Sequence, residues 1–98
     1  MSVTLVELRQ LKPQIMQYAD QHGISDIRVF GSVARGDVGA RSDVDLLVNL
    51  KPGTRFSGYL RFVQALTDLL KTNVQVIEEK AIMHPLVKQS IYEDAVEL

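Results

Sequence analysis

Two aspartates open a segment that is otherwise apolar. Asp43 and Asp45 begin DVDLLVNL, which is predicted to be a strand over residues 43–50. Side chains two positions apart in a strand point to the same face, roughly 6.6–6.8 Å apart along it, so both carboxylates can approach one cation. Oxygen ligands with no His or Cys nearby favour Mg²⁺ or Mn²⁺ over Zn²⁺. The pair is a candidate metal site, although taken alone it also fits a solvated strand end.

A glycine and a serine follow the preceding predicted strand, Asp26–Phe30. Gly31 allows a phosphate to approach the backbone closely, and the amides and the Ser32 hydroxyl can donate hydrogen bonds to it. The dipeptide alone also fits a plain turn, and it matches neither the lysine-containing phosphate loop nor the dinucleotide fingerprint. If the two strands are neighbours, the residues suited to bind a triphosphate and a metal meet at one end of a sheet.

Read as one unit, Gly31-Ser32, ten further residues and then Asp43-Val44-Asp45 form a longer motif. The segment FGSVARGDVGARSDVDLLV closely resembles the minimal nucleotidyltransferase (MNT) branch of the polymerase-β-type nucleotidyltransferases, with Arg35-Gly36 and Ser42 in the places expected for that branch. The resemblance extends over roughly Leu5 to Leu98.

This resemblance implies nucleotidyl transfer from ATP with two magnesium ions, one activating the attacking hydroxyl and the other holding the triphosphate. Asp43 and Asp45 then match the catalytic metal ligands, and Gly31 and Ser32 match the nucleotide-binding residues. Proteins of this branch commonly act as antitoxins to a HEPN-domain ribonuclease, some by adenylylating a tyrosine near its active site. ATP and a HEPN toxin are therefore the expected partners.

A third acidic residue of the superfamily pattern is missing. It should stand at Gln75, within the predicted strand Val74–Ile77. Glutamine can offer a metal an oxygen but carries no charge and cannot accept the hydroxyl proton. Glu78 has the wrong parity and Glu79 lies about 13 Å further along the strand. Two functions remain open: a handicapped transferase, and a catalytically degenerate antitoxin that acts by binding alone.

The elements that must position these residues read as helix, strand, strand, helix, strand, helix. They predict an α+β fold, a small mixed sheet with helices packed on one face. The helix boundaries rest on residues that cap, begin or break helices: Thr4 with Glu7, Pro13, Gly23, Ser57 and Pro85.

Other charged residues carry weaker signals. Arg35 could reach a phosphate or a partner protein, or it could simply pair with Asp37, and Arg41 is similarly ambiguous. Four aspartates away from the motif are predicted to be solvated helix or loop positions; they are Asp20, Asp26, Asp68 and Asp94.

Composition sets the class of protein. The 98 residues suffice for a single domain, 1–98, and the net charge of −1 provides no basic channel for direct nucleic-acid binding. A polymerising or tailing enzyme is therefore a poor interpretation. The chain has no cysteine, no membrane-length apolar run and no signal-peptide pattern, so a cytoplasmic protein is expected. Pairing with itself or with another chain remains open.

Overall fold

The fold alternates helices with short strands. The computed structural model describes residues 3–37 and 43–98. Its elements are α1 (Leu5–Gln10), α2 (Lys12–His22), β1 (Ile24–Phe30), α3 (Gly31–Arg35), β2 (Val44–Leu50), α4 (Phe56–Leu70), β3 (Val74–Glu78), a 3₁₀ turn (Glu79–Ala81), α5 (Pro85–Asp94) and β4 (Val96–Glu97). Within these described ranges, no helix has the length and apolarity to cross a membrane.

Local signals determine the N-terminal helices. The Thr4 hydroxyl accepts a hydrogen bond from the backbone amide of Glu7 at 3.1 Å and caps α1. Pro13 lies in the first turn of α2, where its missing N–H costs nothing, and the chain breaks into two helices before it. Gly23 ends α2 in the left-handed conformation, with a φ of +75°. These three predictions are confirmed.

Two sequence-based expectations about the elements are wrong. Ser57 does not cap α4, because the helix follows an extended Arg55 and starts without a side-chain cap. The Thr54 hydroxyl lies 3.0 Å from the carbonyl oxygen of Gly23 and fixes the turn just before the helix. The strand β4 was not expected, since two residues are too few to show a period.

The four strands form a mixed sheet in the order β3-β2-β1-β4. β1 runs antiparallel to β2 and β4, whereas β2 and β3 are parallel. Phe30, the last residue of β1, lies opposite Asp45, and Asp45 lies beside Gln75 on β3. The end of β1 and the starts of β2 and β3 therefore meet at one end of the sheet, which we call the Asp45 end.

One face of the sheet carries the main core. Side chains from α1, α2 and α4 pack there against the strands. The buried residues of this core are Leu8, Ile15, Ala19, Ile24, Ile27, Val29, Val33, Val44, Leu46, Val48, Phe62, Leu66, Val76 and Leu98.

The opposite face carries a smaller core under α5. Ile91 of this helix packs with Phe30 and Leu47. The α+β class with a mixed sheet is confirmed, but the expectation that the helices share one face fails for α5. Because side chains alternate along a strand, Leu47 points away from Leu46 and Val48 and needs its own apolar cover.

A cluster of polar side chains joins α5 to the sheet at the end opposite Asp45. The Glu79 carboxylate accepts hydrogen bonds from Arg28 at 2.7 Å, from Asn49 at 3.1 Å and from the Tyr92 hydroxyl. These hydrogen bonds, that of Tyr92 foremost, lower the pKa of Glu79 from 4.5 to about 2. We call these four residues the Glu79 cluster.

The outer edge of β3 is partly covered by α4. The Tyr59 hydroxyl donates a hydrogen bond to the backbone carbonyl oxygen of Val76. The Phe56 ring stacks on the Tyr59 ring, with 5.8 Å between centroids. An aromatic side chain thus occupies one acceptor of the edge strand.

The turn from β1 into α3 depends on a glycine. Gly31 has a φ of +75°, and a Cβ at this position would overlap Oδ2 of Asp45. Gly36, which ends α3, also has a φ of +75°, but a Cβ there would meet no atom within 4 Å. The two glycines share a conformation and differ in their surroundings.

We predict that Gly31→Ala destabilises the protein more than Gly36→Ala. Both substitutions place alanine at a positive φ, which costs roughly 1 kcal/mol. Gly31→Ala must also displace Oδ2 of Asp45, and we expect an additional loss of up to about 1 kcal/mol. Urea denaturation of both variants measures the difference, and equal losses would show that the Asp45 carboxylate does not constrain the residue at position 31.

We predict that the Glu79 cluster makes stability depend on acid pH. The folded-state pKa of Glu79, about 2, lies below its ordinary 4.5, so its contribution is complete above pH 4.5 and is lost as the pH falls towards 2. Because solvent screens these hydrogen bonds, Glu79→Gln should lower the free energy of unfolding at neutral pH by only about 1 kcal/mol. The variant should also show a weaker dependence of stability on acid pH. Denaturant titrations across this range test it, with the exposed Glu93→Gln as control. A Glu79→Gln profile parallel to that of the unmodified protein would contradict the prediction.

Candidate active site

The two aspartates of the motif lie together at the start of β2. Asp43 is exposed and immediately precedes the strand, and Asp45 is half-buried as its second residue. Burial raises the pKa of Asp45, the negative charge of Asp43 raises it further, and the positive charge of Arg35 acts in the opposite direction. The ionised form of Asp45 is therefore disfavoured. A bound cation would offset both causes, which are the burial of the carboxylate and its repulsion by Asp43.

Gly31 and Ser32 form the first residues of α3, directly beside this pair. The register that sets Phe30 opposite Asp45 places Gly31 one residue further along, and the absence of a side chain there admits the Asp45 carboxylate. The first amides of a helix have no intrahelical acceptor and are available to an anion. The structure thus brings all four predicted site residues, Gly31, Ser32, Asp43 and Asp45, to the Asp45 end of the sheet.

Gln75 occupies the position next to Asp45 on the neighbouring strand. The parallel register pairs their Cα atoms, so the two side chains share a face, and Gln75 is exposed. Glu79 cannot substitute, because it lies beyond the opposite end of β3 in the Glu79 cluster. Asp37, the acid that follows α3, instead accepts a hydrogen bond from the guanidinium of Arg35 at 3.0 Å.

Arg35 lies among three carboxylates. Its guanidinium binds Asp37 at 3.0 Å and Asp94 at 2.6 Å, and its charge acts on Asp45. The two hydrogen-bonded carboxylates raise the pKa of Arg35, that of Asp37 first. The prediction that Asp94 is a solvated position is wrong, because Asp94 is paired with Arg35. The sequence gives no signal for a pair 59 residues apart.

Few of the described side chains near the motif could bind a metal ion. Within residues 3–37 and 43–98, no group of three or more His, Cys, Asp or Glu side chains is arranged to hold an ion. The two carboxylates suit Mg²⁺, which keeps several water or phosphate ligands rather than requiring a cage of protein atoms. Ser42 and Arg41, which the sequence also singled out, lie outside the described residues.

Comparison with known proteins gives a consistent result. The family model described as "Polymerase beta, Nucleotidyltransferase" matches residues 5–98. A protein of Methanocaldococcus jannaschii with the name "Putative protein adenylyltransferase" is 34% identical over 96 residues, which cover 95% of this chain and 96% of that protein.

Solved structures extend the comparison to the fold. One described as "Structure of putative minimal nucleotidyltransferase" is 32% identical, with a TM-score of 0.82 over 98% of this chain and 97% of the other. A second contains the tri-AMPylated HEPN toxin of Shewanella oneidensis in complex with an MNT antitoxin. This second likeness, at 14% identity and a TM-score of 0.65 over 91% of this chain and 69% of that chain, is one of fold alone. The chain therefore belongs to the polymerase-β nucleotidyltransferase family and has the minimal nucleotidyltransferase fold.

Proposed function

We propose that this chain is an antitoxin that transfers AMP from ATP to a hydroxyl, that of a tyrosine, on a HEPN ribonuclease toxin. The observation that carries the proposal is the meeting of Gly31-Ser32 with Asp43 and Asp45 at one end of the sheet. The protein-adenylyltransferase name of a relative and the HEPN–MNT complex with a similar fold support the choice of reaction and partner.

Each site residue has a role in this proposal. The α3 amides and the Ser32 hydroxyl donate hydrogen bonds to the triphosphate, which Gly31 allows to approach the backbone. Asp43 and Asp45 would hold Mg²⁺, with Mn²⁺ as a substitute, and Gln75, next to Asp45 in the sheet, could offer an amide oxygen. The ions would supply positive charge to the triphosphate and to the leaving pyrophosphate.

The reaction is a displacement at phosphorus. The target hydroxyl oxygen forms a bond to the α-phosphorus, the bond from this phosphorus to the β-phosphate oxygen breaks, and pyrophosphate leaves. Gln75 cannot take the hydroxyl proton, so the proton passes to water. The chain positions the two reactants and does not provide a strong base at this position.

The missing charge should slow the reaction more than it weakens nucleotide binding. A unit charge pair at 4 Å contributes up to about 4 kcal/mol at an effective dielectric near 20, and solvation offsets much of it. A loss of about 3 kcal/mol in the transition state corresponds to roughly two orders of magnitude in rate. Nucleotide binding relies on Ser32, Asp43 and Asp45, which the chain retains.

A second function follows from the same residue. The exposed Gln75 beside Asp45 also fits a degenerate transferase that neutralises its toxin by binding alone. The two functions differ in whether AMP is transferred, and this can be measured directly.

We expect Mg²⁺-dependent ATP binding that Asp43→Asn and Asp45→Asn each weaken by at least about tenfold, because each removes about half of the charge that holds the metal. Titration calorimetry with and without Mg²⁺ tests this expectation. Asp68→Asn, on the exposed side of α4, is the matched control and should leave ATP affinity unchanged. Unaltered affinity in the Asp43→Asn/Asp45→Asn double variant would count against metal-mediated binding.

We expect Gln75→Asp to accelerate AMP transfer by at least about tenfold, which corresponds to 1.36 kcal/mol of barrier. The added carboxylate should also lower the Mg²⁺ concentration that gives half-maximal rate. Transfer of labelled AMP to the cognate toxin measures both quantities. Gln17→Asp, an exposed glutamine on α2, adds the same charge on the other face of the sheet and should have no effect.

The same assay separates the two functions. If the unmodified protein and Gln75→Asp both neutralise the toxin without transferring AMP, the binding function is correct. If the unmodified protein transfers AMP rapidly and Gln75→Asp brings no gain, Gln75 does not occupy the position of the third acidic residue.

A further inference from the structure

An ion pair joins α3 to α5. The guanidinium of Arg35, the last residue of α3, lies 2.6 Å from Oδ2 of Asp94, the last residue of α5. Of the two carboxylates that bind Arg35, Asp94 is the better shielded, with 24% of its side chain exposed against 59% for Asp37. Asp94 is therefore the partner whose charge is less screened by water.

The two ends of this ion pair differ in how firmly they are held. Asp94 precedes Ala95, whose amide donates to the carbonyl oxygen of Ile91, and β4, where Val96 pairs with Val29 of β1. The buried Leu98 completes this attachment. Arg35 instead ends a helix of five residues, a length that is not stable on its own. Asp94 is therefore anchored by the strand that follows it. The short helix α3 is anchored by the buried Val33, and its last residue, Arg35, is held by its two ion pairs.

Arg35 belongs to the segment that carries Ser32 and follows Gly31. The amide of Asp37 donates to the carbonyl oxygen of Ser32 at 3.0 Å, so the segment from Ser32 to Asp37 is closed on itself. A shift of Arg35 would move this closed segment against Asp45. The ion pair with Asp94 thus links this segment to a residue 59 positions away from Arg35.

We propose that Asp94 is a positioning residue for nucleotide binding: it holds Arg35, and through Arg35 it holds the turn with Gly31 and Ser32 against Asp45. Asp94 need not touch the nucleotide. The proposal rests on the proposed function only in naming the nucleotide as the ligand, since the positioning itself belongs to the nucleotide-free protein.

The sign of the effect separates positioning from simple electrostatics. Asp94→Asn removes a negative charge near the site, and by Coulomb's law alone this change favours binding of an anion such as ATP. Competition between Asp94 and the triphosphate for Arg35 would have the same sign. If Asp94 positions the turn, Asp94→Asn should instead weaken ATP binding, because a loose turn must be ordered when ATP binds.

Hydrogen exchange on the nucleotide-free protein tests the positioning. In Asp94→Asn the amides of Gly36 and Asp37, which close the segment, should exchange at least about fivefold faster, whereas Asp94→Glu should restore slow exchange. Asp20→Asn is the matched control, because it breaks a more exposed ion pair, to Lys51 at 3.5 Å. Exchange rates in Asp94→Asn equal to those of the control would overturn the proposal.

Calorimetry on the same variants tests the consequence for the nucleotide. ATP with Mg²⁺ should bind Asp94→Asn at least about threefold more weakly, and Asp94→Glu and Asp20→Asn like the unmodified protein. Equal or tighter binding by Asp94→Asn overturns the role of Asp94 in nucleotide binding. If the unmodified protein binds no ATP, the proposed function fails, and the exchange rates still decide whether Asp94 positions the turn.

Discussion

The antiparallel pairing of β1 with β2 is the constraint on which the site depends. Its register sets Phe30 opposite Asp45, so the chain must leave β1 at the place where the aspartates of β2 begin. Gly31 makes this exit possible, because a larger residue would overlap the Asp45 carboxylate. A shift of one residue in this pairing would turn Asp45 towards the main core and separate it from the turn.

The central position of β2 gives this constraint its strength. Val44, Leu46, Leu47 and Val48 are buried between the main core and the smaller core under α5. A slip of one residue would turn Asp45 and Asn49, which lie on the other face of β2, into the main core, and burying these polar groups there is unfavourable. Asp45 is held half-buried by the packing of its neighbours, and the same burial raises its pKa.

How much of this could be predicted from the sequence depends on the range of the signals. The Thr4 cap, the helix break at Pro13 and the turn at Gly23 act over a few residues, and each was predicted correctly. The motif also predicted that Gly31 and Asp45 meet, because its two halves flank neighbouring strands. Ser57 was predicted wrongly, because the preceding turn is closed by a contact with the end of α2.

The sequence carries no signal for the long-range ion pairs. Arg35 with Asp94 and Arg28 with Glu79 join residues 59 and 51 positions apart, and neither pair is marked by a period or a motif. The cover of α5 over the second face was missed for a related reason: the continuous apolar run of β2 predicts burial on both faces but does not say what covers each.

The Tyr59 hydroxyl at the edge of β3 has a consequence for the behaviour of the chain in concentrated solution. Exposed edge strands offer unpaired backbone groups to the strands of other molecules, and this is a common route to aggregation. A strand added beside β3 would have to displace the Tyr59 hydroxyl from the Val76 carbonyl oxygen and move the ring that Phe56 stacks upon. This edge therefore resists the growth of the sheet from molecule to molecule.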